Sequence, residues 1–265
     1  MRNRLATVGL SLLVTLVAVA CAVSPTGRKQ LLLFPEGEVA TMGATAFAQQ
    51  KQDIPVSQDS GQRAYVQCVT NHLLTAMGQQ PSEWEVVLFD ANQVNAFALP
   101  GKKIGVYTGL LAVASNQDML AAVIGHEIGH VIAKHSNERL STQYAAQTGL
   151  SVIQALGGEM TEQKRLVYGA LGLGAQYGVI LPYGRQQELE ADRIGLELMA
   201  RAGFNPQQAV ALWENMARAG GQQPPQFLST HPSNQTRIRD LQSAMPPALA
   251  LLQQARTAGK TPRCR

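Results

Sequence analysis

At 265 residues and 45% hydrophobic content, the chain is long enough for one large folded domain and too apolar for a disordered one. The formal net charge is +4, and without residues 1–20, which hold Arg2 and Arg4, it is 20 basic against 18 acidic residues, or +2. So small an excess excludes an electrostatic case for nucleic acid as partner.

The chain opens with "MRNR" and the uncharged apolar run "LATVGLSLLVTLVAVA", which reads as a secretory signal over residues 1–20. The small residues "AVA" before Cys21 resemble a bacterial lipobox, with Ala18 where a leucine is usual. Cys21 is then expected to be lipidated and to become the new N-terminus. The alternatives are ordinary cleavage after Ala20 and an uncleaved membrane anchor. Ala22 rather than Asp after the cysteine sorts such a lipoprotein to the outer membrane, on the inner leaflet facing the periplasm. Residues 21–30, with "AVSPTGRKQ", read as a lipidated polar tether, and residues 31–265 as a single domain. With Cys21 lipidated, Cys68 and Cys264 are left as a pair in an oxidising compartment, either bridged or as two free thiols.

Helical spacing begins at "PEGEVATMGATAFAQQKQ" and returns in "SGQRAYVQCVTNHLLTAMG", where Tyr65, Val69, His72 and Leu73 share a face and Gly78 closes the run. His72 there is a helix-surface or core histidine. "WEVVLFD" reads as a strand, and "NAFALPGKKIGVYTG" as a hairpin about Pro100-Gly101. A free edge along Ile104, Gly105, Val106 and Tyr107 would let an extended peptide add itself as a strand; the alternative is a structural hairpin. Ser115 with Asp118 forms a capping box ahead of "MLAAVIGHEIGHVIAKHSNERL", read as one mostly apolar helix. Leu166 to Tyr183 carries no charge and reads as a buried helix near the site, just reaching span length. Three more helices follow, in "GRQQELEADRIGLELMARAG", "NPQQAVALWENMARAG" and from "RIRDLQSAM", with the loop "GQQPPQFLSTHPSNQT" before the last. The fold class is mainly α with a small β-sheet, α+β.

His126-Glu127-Ile128-Gly129-His130 is H-E-x-x-H. Residues four apart on a helix lie on one face, so both imidazoles reach a single ion, while Glu127 stands one step round. Two neutral imidazoles and a carboxylate suit one zinc ion, with Glu127 placed to take a water's proton. Without a metal, the same residues would be satisfied polar groups on a buried helix. His135 falls about 140° round the helix from His130, which makes it a helix-end bystander. In "QQELEADRIG", Glu188 and Asp192 share a face, and Glu190 points away as a solvated acid. Glu188 as third ligand and Asp192 behind His126 or His130 would complete the set.

"HEIGH" followed by "ELEAD", with "NAFALPGKKIGVYTGLL" before and "STHPSNQTRI" after, resembles the zinc metallopeptidases that include the CAAX prenyl protease and HtpX, over roughly Asp90 to Leu241. Within them it looks most similar to periplasmic outer-membrane lipoproteins typified by LoiP and BepA. The resemblance implies a gluzincin-type domain, with Glu188 as third zinc ligand and Asp192 as its supporting aspartate. It also brings His231 of the H-P motif to the site, as fourth ligand or as donor to an oxyanion, with Arg237 supporting that loop. The implied function is a zinc endopeptidase that degrades misfolded or misassembled envelope polypeptides, attached to the membrane by a lipid anchor and paired with an outer-membrane protein. The rival readings are a non-proteolytic chaperone with structural zinc and a zinc hydrolase of a non-peptide envelope substrate.

Overall fold

The computed structural model describes residues 21–156, 181–219, 231 and 235–265. It is helical with two small sheets, in agreement with the α+β reading. The segment read as a tether instead holds a hairpin, β1 (Cys21–Val23) paired antiparallel with β2 (Lys29–Leu31). The same Ser-Pro-Thr-Gly chemistry serves a tether or a turn, and here Gly27, at φ 90°, makes it a turn. The side chain of Cys21, where lipidation is expected, lies outside the described residues.

Helix α1 (Glu36–Asp53) is followed by α2 (Ser60–Ala76), whose cap Asp59 accepts a hydrogen bond from the Gln62 amide. The main sheet comprises β3 (Glu85–Phe89), β4 (Ala96–Leu99) and β5 (Lys103–Tyr107) in the order β3-β5-β4. β5 is parallel to β3 and antiparallel to β4, and the β4–β5 turn at Pro100-Gly101 falls where the sequence places it. This order corrects one expectation. β5 is the central strand, so Ile104, Gly105, Val106 and Tyr107 have partners on both sides and cannot take up an added chain. Alternating side chains revealed the hairpin but not which of its strands the distant β3 would join.

Helix α3 (Thr108–Val113) leads to α4 (Gln117–Ile132). The cap of α4 is Asn116, one residue past the expected Ser115; its Oδ1 accepts from the amides of Asp118 and Met119 at 3.0 and 2.9 Å. Every residue from Met119 to His130 is buried, so α4 is the axis around which the molecule packs. The long helix expected across this region is in fact two. The chain turns at Lys134, φ 56°, and restarts as α5 (His135–Leu156).

Helix α6 (Leu181–Arg201) packs directly on α4, and α7 (Gln208–Ala219) and α8 (Gln235–Thr257) enclose the pair. The crossing is close because glycines line it. A Cβ on Gly195 would stand 2.7 Å from the His126 amide nitrogen, and one on Gly129 2.8 Å from the Ala191 carbonyl oxygen. Most of the uncharged Leu166 to Tyr183 run lies outside the described residues. Among the described residues, no helix is long and apolar enough to cross a membrane. Cys68 and Cys264 form a disulfide, with Cα atoms 5.7 Å apart, that ties the C-terminal tail to α2.

Candidate metal centre

Helix α4 presents His126 and His130 one turn apart, α6 presents Glu188 across the glycine-lined crossing, and His231 reaches in just ahead of α8. All four are buried, and one ligand atom from each lies within 4.8 Å of all the others. The His126 and His130 Nε2 atoms are 3.0 Å apart, and His231 Nδ1 is 3.2 Å from His126 Nε2. The Glu188 carboxylate stands 2.9 Å from His231 Nδ1, 3.3 Å from His126 Nε2 and 3.4 Å from His130 Nε2.

Ligands about 2.0–2.1 Å from a tetrahedral zinc lie about 3.3 Å from one another, which is the spacing seen here. Three ring nitrogens facing each other beside a carboxylate also need a cation, since one shared proton can serve only one pair. The donor set fits a single zinc ion.

Behind the donors, Asp192 Oδ1 is 2.9 Å from His126 Nδ1, the placement expected for a carboxylate that fixes the tautomer and aims Nε2 inward. Arg237 grips Asp192 with two 2.7 Å bonds, donates to the His231 carbonyl oxygen at 3.2 Å and lies over the Trp213 ring. Burial works against ionisation of Asp192, yet the Arg237 guanidinium holds its carboxyl below the usual range. Burial likewise opposes charge on His126, but Asp192 and Glu188 raise the imidazole to about 9 without a metal. Burial and the neighbouring His126 push His130 far the other way.

Glu127 faces the cluster from the next position on α4. Its Oε2 accepts from the Ala98 amide of β4 at 3.3 Å, which places the outer edge of that strand over the site. Its Oε1 is buried, has no hydrogen bond among the described residues and stands 3.4 Å from His231 Nε2.

Two residues differ from the sequence reading. His135 is no helix-end bystander; it is the first residue of α5 and is buried, with its Nδ1 2.8 Å from His130 Nδ1. Glu190 is not a solvated acid. It is buried beneath the N-terminal hairpin, 3.1 Å from His135 Nε2. Burial opposes its ionisation, but bonds from Ser24, Thr26, His135 and Arg28 lower it to about 2. His72 is exposed, with its ring edge-on to Phe204, away from the cluster.

Residues 60–245 match the model of peptidase family M48. The chain belongs to peptidase family M48. It is 36% identical over 189 residues to "Mitochondrial metalloendopeptidase OMA1" of Schizosaccharomyces pombe, covering 69% of this chain and 53% of that one. It is 34% identical over 181 residues to the protein of the same name in Saccharomyces cerevisiae, covering 65% and 50%. With "Beta-barrel assembly-enhancing protease" of Escherichia coli it shares 27% over 211 residues, covering 77% and 43%. The chain thus spans about half the length of the curated relatives it matches.

These M48 relatives overturn the expected placement at a bacterial outer membrane, because those at 34–36% identity are mitochondrial proteins. The reason lies in the leader. A basic start followed by an apolar, acid-free run does not by itself name one compartment. The expectation that LoiP and BepA typify the nearest members is corrected in part: the assembly-enhancing proteases are relatives at 27–29% identity, below the OMA1 proteins at 34–36%.

Proposed function

We propose that the chain is a zinc endopeptidase that cleaves unfolded or misassembled polypeptides, with His126, His130 and Glu188 as its zinc ligands. The observation that carries this is the buried Oε1 of Glu127, an acceptor with no hydrogen bond among the described residues, 3.4 Å from His231 Nε2 and beside a donor set built for one ion. A structural zinc clamp would have no use for such a group. Bound zinc supplies Lewis-acid polarisation and lowers the pKa of water to about 7. Glu127 takes the attacking water's proton at Oε1 and passes it to the leaving amine, while Asp192 and Arg237 keep His126 and Glu188 aimed inward.

An extended substrate pairs with the outer edge of β4, Ala96 to Leu99, taking over the Ala98 amide that now bonds Glu127. Recognition through main-chain groups tolerates many side chains, which suits unfolded substrates. The relatives named as metalloendopeptidases support internal peptide cleavage, and the one named as a beta-barrel assembly-enhancing protease supports misassembled proteins as substrates. His231 would hold a bound zinc at the fourth position and close the centre until that ring moved aside, where its Nε2 would donate to the oxyanion.

Casein cleavage and zinc content of wild type and Glu127→Gln test the proposal together. The variant should keep one zinc per chain and lose cleavage by about 10²–10⁴-fold. Cleavage at the wild-type rate would remove Glu127 from the chemistry.

A further inference from the structure

His126 and His130 are held from behind in different ways. The Nδ1 of His126 meets a carboxylate directly, whereas that of His130 meets another imidazole, His135, at 2.8 Å. With zinc on its Nε2, His130 carries its proton on Nδ1 and must donate it. His135 Nδ1 is then the acceptor, which puts the His135 proton on Nε2, 3.1 Å from Glu190 Oε2. Glu190 is in turn held by Arg28 Nε at 2.8 Å and by the Thr26 hydroxyl, both from the β1–β2 turn. Arg28 spans on to Glu138 through both of its terminal nitrogens. One direction of donation satisfies every group in this line. The line runs from the metal centre to the N-terminal hairpin, and the site described above does not otherwise use it.

We propose that His135, Glu190, Arg28 and Thr26 are positioning residues for the second zinc ligand, so that the hairpin over residues 21–31 is a working part of the metal centre. Burying two carboxylates and a histidine is costly unless all are bonded, and the hairpin supplies the only cation seen on Glu190 among the described residues. Its docking therefore sets how firmly the His130 ring is aimed. The inference rests on the zinc reading.

Zinc affinity by chelator competition, with the visible spectrum of the cobalt-substituted protein, separates aim from mere packing. His135→Phe keeps a ring in place but removes the acceptor, and should weaken zinc binding by about 10–100-fold and shift the cobalt bands. His135→Gln can accept and donate, and should recover part of the affinity. Arg28→Met should also weaken binding; should it fail to fold, Thr26→Val takes its place with a smaller loss. Lys51→Ala, which cuts the surface pair with Glu85 away from the hairpin, should bind zinc like wild type. Wild-type affinity in His135→Phe, equal losses in the Phe and Gln variants, or no effect of the hairpin variants would overturn the proposal. Wild type that binds no zinc would instead overturn the metal centre itself.

Discussion

His231 faces two ways, its Nδ1 into the donor set and its Nε2 toward Glu127, and this divides its roles. With zinc bound, a seated His231 would close the centre, and its removal would leave the fourth position to solvent. His231→Ala should therefore raise peptide cleavage at saturating zinc. A fall to the level of Glu127→Gln would make the ring an oxyanion donor first and a closing ligand second. At this scale most of the buried donor cluster was legible, because two turns of helical arithmetic place His126 with His130 and Glu188 with Asp192, while His231 came from the resemblance alone. The same arithmetic failed for His135, since it assumed a helix that ran on past Lys134. No glycine or proline marks that break. Glu190 was misread for a related reason: it does face away from Glu188, but the face it occupies is covered by the N-terminal hairpin.

Helices α4 and α6 cross in backbone contact at Gly125, Gly129 and Gly195. Gly195 lets α6 approach until its Cα region touches the peptide before His126, so the crossing fixes where Glu188 stands relative to both histidines. Gly195→Ala gains about 1 kcal/mol of helix propensity. The added methyl would meet backbone atoms at 2.7 and 2.8 Å, and overpacking of this kind costs about 1–3 kcal/mol. A lower melting temperature together with weaker zinc binding is expected; an unchanged melting temperature would mean that the helices do not cross this closely. The strands were also half legible. Their alternation and the Pro100-Gly101 turn predicted the hairpin, but its free edge depended on β3, which joins from outside it.

One covalent link closes the chain from α2 to its C-terminal tail, since Cys68 and Cys264 lie 196 residues apart in sequence. Loop-closure entropy for so long a span gives an upper stabilisation of about 5 kcal/mol. Cys68→Ser with Cys264→Ser should lose about 2–5 kcal/mol in denaturant unfolding, and wild type in reductant should show the same loss. Equal stability of the two forms would show that the tail docks without the bridge. The pairing was expected from cysteine number and compartment, yet two mitochondrial-named relatives show how weakly a leader names that compartment. What joins these scales is a metal centre assembled from α4, α6 and His231. Anomalous diffraction at the zinc edge tests it most directly. One peak per chain is expected, within bonding distance of His126 Nε2, His130 Nε2, Glu188 and His231 Nδ1. No peak there in zinc-supplemented protein, or a peak at some other cluster, would contradict the account.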